Sequence, residues 1–167
     1  MKILIFGLPG SGKTTLARPF AKLINGVHIN GDDIRQRYCD WDFTLTGRYN
    51  QMRRMSHVAD GVVLAGKTAI VDFVCPTNKF RELFNADYYV YMDTIDKSRY
   101  KDTNEMFEKP RSCDYHVSEW FDDTHKQLSK VLEHFIAKRE EKLNDYPCMD
   151  ALKESLILII QNQQFKC

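Results

Sequence analysis

Residues 2–14, K-I-L-I-F-G-L-P-G-S-G-K-T, give the clearest indication of how this chain folds. The stretch begins with a short apolar run, residues 2–6, which is typical of a strand buried on both faces of a sheet. A glycine-rich turn follows, and residues 13–24 then have the apolar spacing of a helix. A buried strand, a tight turn and a helix in this order predict the first part of a parallel α/β unit.

The turn of residues 7–14 fits the pattern G-x-x-x-x-G-K-[ST] at every fixed position, in the strand-to-helix context that this P-loop pattern requires. Its glycines allow backbone N–H groups to converge on phosphate oxygens. Lys13 is predicted to reach the outer phosphates of ATP, and the Thr14 hydroxyl to bind Mg²⁺. The predicted ATP- and phosphate-binding residues are Gly7, Pro9, Gly10, Ser11, Gly12, Lys13, Thr14 and Thr15.

Strand and helix patterns alternate along the chain. Strands are predicted at residues 2–6, 27–29, 68–73, 88–92 and 115–117, and helices at 13–24, 48–64 and 121–139. This order predicts an α/β fold of the three-layer P-loop NTPase type, with a mainly parallel sheet of about five strands and helices on both faces. Pro19 lies inside the first predicted helix and is expected to kink or break it.

The whole chain, residues 1–167, is predicted to form a single P-loop domain. Residues 96–112 are polar, contain Pro110 and lack apolar periodicity, so we expect a mobile lid there. A further apolar helix is expected at about residues 149–164.

Composition narrows the class of protein. With 24 basic and 23 acidic side chains the net charge is +1, which argues against an extended nucleic-acid-binding surface. Five cysteines without a C-x-x-C pair indicate neither a disulfide framework nor a zinc site. The apolar stretches are too short to span a membrane. We therefore expect a soluble cytoplasmic protein.

The segment I-N-G-D-D-I-R, residues 29–35, follows the second predicted strand. Asp32 and Arg35 lie three residues apart and should share one helix face. They could form a solvated ion pair at a helix N-terminus. They could instead be a catalytic acid beside an anion-binding arginine. In parallel α/β folds ligands bind at the carboxyl ends of the strands, and phosphoryl transfer needs a carboxylate oriented toward the attacking hydroxyl. The P-loop therefore favours Asp32 as a catalytic residue together with Lys13.

Together with the P-loop, four further motifs of the chain resemble those of the adenylylsulfate kinase (APS kinase) family. The family motif D-G-D-N-x-R is similar to N-G-D-D-I-R at residues 30–35, and its G-F-S turn resembles D-F-T at 42–44. Its R-x-E-N-I-R-R helix is similar to residues 48–54, and its F-I-S-P loop resembles F-V-C-P at 73–76. The resemblance covers residues 1–95 and implies transfer of a phosphoryl group from MgATP to the 3′-hydroxyl of adenosine 5′-phosphosulfate (APS).

The resemblance also implies roles for single residues. Asp32 orients or deprotonates the acceptor hydroxyl, Arg35 and Arg48 bind its anionic group, and Phe43 stacks on its adenine. The family's lid is shortened here, and Phe107 is the candidate considered for its second stacking aromatic. The predicted acceptor-binding residues are Asp32, Arg35, Phe43, Arg48, Gln51, Val74 and Cys75.

Several residues have two interpretations. Asp72 ends a predicted strand, where it could bind Mg²⁺ through water or cap the following turn. Arg54 could bind a ligand or solvate its helix. Cys75 is interpreted as a small buried residue, because direct phosphoryl transfer needs no covalent intermediate. The five histidines lack the spacing of metal ligands.

The leading functional hypothesis is a sulfate-assimilation kinase that converts APS to 3′-phosphoadenylylsulfate (PAPS). A polynucleotide 5′-hydroxyl kinase is an alternative, because such enzymes pair a P-loop with a similar I-N-x-D-D-x-R stretch. A non-catalytic nucleotide-binding domain is the third. The expected partners are ATP and a small anionic acceptor, with neither membrane nor nucleic acid, and a homodimer is left open.

Overall fold

The computed structural model describes the backbone of residues 1–144 and the side chains of residues 1–141. The elements are β1 (Lys2–Gly7), α1 (Lys13–Leu23), β2 (Val27–Asn30), α2 (Gly31–Arg37), α3 (Leu45–Leu64), β3 (Ala69–Asp72), α4 (Asn78–Phe84), β4 (Tyr88–Met92), α5 (Lys101–Met106), β5 (Tyr115–Val117) and α6 (Thr124–Asn144). The helix predicted at about 149–164 lies outside the described residues.

The five strands form one sheet in the order β2-β3-β1-β4-β5, and every neighbouring pair is parallel. β1 occupies the centre and is buried along its whole length. A central parallel strand must be apolar on both faces, which is why its sequence shows no alternation. The predicted fold class is confirmed.

Helices cover both faces of the sheet. Leu4 and Phe6 of β1 belong to one core cluster with Met52 of α3. Because side chains alternate along a strand, the fully buried Ile3 and Ile5 point to the opposite face. α1 packs on β1, β2 and β3, and its buried residues are not part of the α3 cluster. The carboxyl ends of all five strands are thereby left at one edge, where the loops converge.

The first helix is not broken at Pro19, so the expected break is wrong. α1 continues from Lys13 to Leu23 with Pro19 inside it. Burial of Leu16 and Phe20 against the sheet stabilises the helix despite the hydrogen bond that proline removes. Leu23, at its end, is half exposed.

The chain divides into two compact units, Met1–Ser129 and a unit that begins at Lys130. The first contains the whole sheet and five helices. The described part of the second, residues 130–144, is the C-terminal portion of α6. Among the described residues, no helix is long and apolar enough to cross a membrane.

Candidate active site

The P-loop turns sharply from β1 into α1. A Cβ atom at Gly7 would collide with the Met92 carbonyl oxygen of β4, so only glycine allows the two strands to end side by side. Gly12 has φ 83° and ψ 14°, a left-handed conformation that favours glycine, and it immediately precedes α1. The first N–H groups of α1 therefore open toward the loop, which is the arrangement that binds oxyanions.

Lys13 lies almost fully buried at the start of α1. Its Nζ donates a hydrogen bond to the Leu8 carbonyl at 2.7 Å. Burial lowers the pKa of Lys13 to about 8, while the carboxylates of Asp72 and Asp32 act in the opposite direction. The lysine is thus a partly desolvated cation with two acidic neighbours, a state that an added phosphate group would stabilise.

A buried carboxylate joins the P-loop to the neighbouring strands. Asp72, at the end of β3, is 1% exposed and accepts a hydrogen bond from Thr14 Oγ1 at 2.5 Å. Asn30 Nδ2 donates to both carboxylate oxygens and to Thr14 Oγ1, and His28 Nε2 lies 2.6 Å from Asp72 Oδ1. All hydrogen bonds described for the Asp72 carboxylate join it to side chains, so within the described chain it does not cap a turn.

This cluster fits a magnesium ion. Thr14 Oγ1 and Asp72 offer hard oxygen donors at the mouth of the P-loop, and Mg²⁺ binds hydroxyl, carboxylate and water oxygens. No group of three or more His, Cys, Asp or Glu residues suited to a metal ion occurs in the described chain. A bound Mg²⁺ would therefore depend on nucleotide phosphates and water for its other ligands, as is usual in P-loop proteins.

Asn30 also organises the start of α2. Its Oδ1 accepts hydrogen bonds from the backbone N–H groups of Asp32 and Asp33, which makes it the N-cap of the helix. One side chain therefore links the P-loop, β3 and α2. The Asp32 carboxylate is left exposed in the first turn of α2, facing the cavity described below.

Arg35 does not form the solvated ion pair with Asp32 that one interpretation predicts. It is buried, and its Nη1 donates to the carbonyls of Asp40 and Asp42 at 3.0 and 2.9 Å. Its guanidinium lies 4.5 Å from the ring centre of Phe43. Burial lowers the pKa of Arg35, and nearby Asp40 opposes that shift. Arg35 thus fixes the loop between α2 and α3 while supporting one face of the Phe43 ring.

Arg48 and Gln51 of α3 line the same cavity as Arg35 and Phe43, and these four side chains are called the acceptor wall below. Thr44 caps the helix, which begins at Leu45 rather than at the predicted residue 48. Arg48 Nε donates to the Phe43 carbonyl, and Gln51 Nε2 donates to the Gly31 carbonyl at 2.8 Å. Both side chains are buried.

Arg54 has a structural role: its Nη1 lies 2.6 Å from Asp40 Oδ2, and its guanidinium lies over the Tyr38 ring. It therefore holds the loop that follows α2.

One cavity of about 940 Å³ joins the P-loop to this wall. The predicted acceptor-binding residues all line it, namely Asp32, Arg35, Phe43, Arg48, Gln51, Val74 and Cys75. The predicted phosphate-binding residues that line it are Pro9, Gly10, Gly12, Lys13, Thr14 and Thr15, whereas Gly7 and Ser11 do not. The Ser11 hydroxyl is buried and has no hydrogen-bond partner within the described part of the chain.

Cys75 matches its interpretation as a small buried residue. It is fully buried, burial raises the pKa of its thiol, and its carbonyl accepts a hydrogen bond from Arg81 Nη1 at 2.8 Å. Arg81 also donates to the carbonyl of Glu108 at the far end of the predicted lid. Sequence reasoning missed Arg81, which ties the loop after β3 to the segment that follows α5.

The structure changes the assignment of one aromatic side chain, Phe107, and adds another, Trp41, to the cavity. Phe107 does not line the cavity: its ring stacks on Tyr91 of the core at 6.1 Å, so the candidate for a second stacking aromatic is wrong. Trp41 does line it, with its ring centre 6.4 Å from that of Phe43. Its position two residues before Phe43 was the only available signal in the sequence.

Trp120 packs beside the P-loop but does not line the cavity. Its ring is 3.7 Å from the point where a Cβ at Gly12 would be, and it is partly exposed.

The fold and the cavity together define a P-loop protein of the α/β class. The family model of adenylylsulphate kinase matches residues 1–120, and the chain belongs to this family. The family's members are phosphotransferases that act on a hydroxyl group.

Curated relatives match only part of their length. An adenylyl-sulfate kinase of Shewanella baltica (strain OS195) is 34% identical over 90 residues, which cover 50% of this chain and 44% of that protein. One of Shewanella halifaxensis is 37% identical over 86 residues, covering 48% and 42%. The aligned part of the chain thus spans less than half the length of these relatives.

Solved structures share the fold. The APS kinase of Mycobacterium tuberculosis, solved in complex with AMPPNP and APS, has a TM-score of 0.65 and 18% identity over 79% of this chain and 96% of that one. The hexameric APS kinase of Thiobacillus denitrificans has a TM-score of 0.64 and 22% identity over 80% of this chain and 28% of that one. At these identities the likeness concerns the fold.

Proposed function

We propose that this chain is an ATP-dependent kinase that transfers the γ-phosphoryl group of ATP to the 3′-hydroxyl of APS, giving PAPS and ADP. The observation that carries the proposal is the single cavity that places a P-loop opposite Asp32 and an arginine–aromatic wall. Family membership and the relatives' names support the acceptor. Such a reaction belongs to sulfate assimilation, and we expect a cytoplasmic enzyme.

The donor side binds the phosphates of ATP. The N–H groups that follow Gly12 and the ammonium of Lys13 neutralise the charge of the outer phosphates. A phosphate oxygen would supply a partner for the buried Ser11 hydroxyl, which is unpaired in the described chain. Bound Mg²⁺ supplies further charge neutralisation at the phosphates, and Thr14 with Asp72 would hold it.

The acceptor side positions a hydroxyl group for in-line attack on the γ-phosphorus. Asp32 lies exposed in the cavity, where its carboxylate can accept the proton that the hydroxyl loses as the new O–P bond forms and the bond to ADP breaks. Phe43 is half exposed and lines the cavity, so its ring can stack on the adenine, with the guanidinium groups of Arg35 and Arg48 close to the same ring. Arg48 lies beside Phe43 and binds the acceptor's anionic group.

An ADP-release assay with MgATP tests the proposal. Three reactions should be compared: APS as acceptor, an oligonucleotide with a free 5′-hydroxyl, and no acceptor. We expect ADP release that depends on APS, with PAPS as the product identified by mass spectrometry.

The other outcomes distinguish the alternatives. Release that depends on the oligonucleotide would identify a polynucleotide kinase. Nucleotide binding without release on either acceptor would leave a non-catalytic P-loop domain. Size-exclusion chromatography with light scattering would determine whether the protein is a homodimer.

A further inference from the structure

The arginine assigned to the acceptor's anionic group already has a carboxylate bound to it. Arg48 Nη2 donates to Asp102 Oδ2 at 2.7 Å and to Thr103 Oγ1 at 2.8 Å, both on α5. Its Nε donates to the Phe43 carbonyl at 2.8 Å. The guanidinium is thus held from both sides, and one of its partners carries the same charge as a sulfate or phosphate.

The two members of this ion pair differ sharply in burial. The side chain of Arg48 is 7% exposed, whereas that of Asp102 is 62% exposed. A buried guanidinium needs an anionic partner, because an uncompensated buried charge is strongly unfavourable. An exposed carboxylate regains its hydration easily when the pair breaks. Releasing Asp102 from Arg48 therefore costs little free energy, provided that another anion takes its place on the arginine.

The pair also lies inside the cavity. Arg48, Asp102 and Thr103 all line it, together with Phe43. Five cationic side chains line the same cavity, Lys13, Arg35, Arg48, Lys97 and Arg99, and three carboxylates do, Asp32, Asp72 and Asp102. Asp32 lies in α2 and Asp72 at the P-loop, so Asp102 is the carboxylate that is bonded to the acceptor wall.

We propose that Asp102 occupies the acceptor's anion subsite, as a built-in competitor, until an anionic acceptor replaces it on Arg48. This inference rests on the proposed function, since it takes Arg48 as the residue that binds the acceptor. An incoming sulfate or phosphate oxygen accepts the Nη2 hydrogen bond, and Asp102 turns to solvent. A neutral molecule offers no charge to exchange and leaves the pair intact, so its affinity does not depend on Asp102.

Asp102→Asn tests the inference, because the amide has nearly the same shape and no charge. APS, AMP and adenosine should each be titrated calorimetrically into protein preloaded with ADP. We expect the variant to bind APS and AMP roughly 3- to 10-fold more tightly, the range for one partly exposed charged pair. Adenosine and ADP affinities should stay unchanged.

Glu105→Gln is the matched control. Glu105 lies three residues further along α5, is exposed, and pairs with Lys101 rather than with a cavity arginine. The substitution removes the same unit of charge from the same helix but leaves the Arg48 pair intact. It should therefore change anion affinity by less than about twofold. In an Arg48→Met background, Asp102→Asn should give no gain, because the arginine that both anions share is absent.

Each outcome of these titrations either supports or overturns the proposed role of Asp102. An Asp102→Asn protein that binds APS and AMP no more tightly than wild type overturns the inference, as does an equal gain in Glu105→Gln or for adenosine. A gain for AMP with no APS binding in either protein supports the role of Asp102 and contradicts APS as the acceptor. Absence of binding by both anions in both proteins overturns both conclusions.

Discussion

Asp32 and Asp33 are adjacent carboxylates in the first turn of α2, yet only Asp32 lines the cavity. Asp32→Asn should lower turnover by roughly 10²–10⁴, the range that general-base catalysis supplies, with ATP affinity nearly unchanged. Asp33→Asn is the control, because it removes the same charge from the same helix end. Steady-state kinetics with a separate ATP titration would measure both. A comparable loss of ATP binding in Asp32→Asn would instead make Asp32 part of the metal site.

Lys13 predicts a pH dependence of nucleotide binding. Its pKa is lowered to about 8 in the ligand-free protein, and a bound phosphate favours the charged form. Below this pH the lysine is already protonated, and above it binding must take up a proton. ADP affinity, measured without magnesium, should fall by at most about tenfold per pH unit above 8.

Lys13→Met should bind ADP weakly and lose this pH dependence, because no titrating ammonium remains at the phosphates. A wild-type affinity that stays constant from pH 7 to about 9.5 would contradict the role of Lys13.

Phe43 should supply the stacking surface for the acceptor's base. Phe43→Ala is expected to weaken APS binding by roughly 10- to 100-fold with little change in ATP binding, on the scale of base–aromatic stacking in single-stranded nucleic-acid sites. Tyr38→Ala is a suitable control, since Tyr38 is a similarly exposed aromatic nearby but does not line the cavity. Calorimetry with ADP-loaded protein measures both, and an unchanged affinity in Phe43→Ala would rule out stacking.

At the scale of elements, the segment of residues 96–112 contains more order than its sequence indicated. It holds the six-residue helix α5, of which Thr103 is the buried residue. So short a helix is marginal by itself and depends on its contact with Arg48, while Arg81 holds the segment just beyond it through the Glu108 carbonyl.

We expect the backbone amides of this segment to exchange hydrogen faster than those of β1 in the ligand-free protein, and to become protected when ADP and APS are both bound. Hydrogen exchange followed by mass spectrometry would test this, with α3 as an internal reference. Protection equal to that of β1 without ligand would contradict the predicted lid.

The elements also show what can be inferred from local sequence. β1 and α3 were predictable, because a buried parallel strand and an amphipathic helix each have their own periodicity. A helix start at Asp32 was expected, but the bounds of α2 were not, and α4 was missed, because each helix is seven residues long and depends on a cap, Asn30 or Thr77.

For the candidate site, the P-loop and the predicted acceptor residues could be placed at one cavity from motif and resemblance. The roles of His28 and Asp102 at this site could not be predicted from the sequence. His28 reaches Asp72 from the neighbouring strand, and Asp102 reaches Arg48 across 54 residues of sequence. Such contacts depend on tertiary packing and leave no local pattern.

At the scale of the whole molecule, a net charge of +1 coexists with a cavity lined by more cations than carboxylates. Attraction for anions should therefore be local. A single-stranded oligonucleotide should bind more weakly than APS, and its log affinity should fall with log salt concentration with a slope of magnitude below about 2, corresponding to contact with no more than about two or three phosphates.

Fluorescence anisotropy at several salt concentrations would measure this slope. A steep slope with tight binding would favour the polynucleotide alternative.

The chain contains two tryptophans, and they lie at different parts of the P-loop and its cavity. Trp41 faces the acceptor wall beside Phe43, and Trp120 packs beside Gly12. Each indole therefore acts as a natural optical probe of its own surroundings. With Trp120 replaced by Phe, the emission of Trp41 would follow arrival of the acceptor; with Trp41 replaced, that of Trp120 would follow arrival of the donor. Rapid mixing of the two single-tryptophan proteins with each substrate would then give the order of binding without any attached dye.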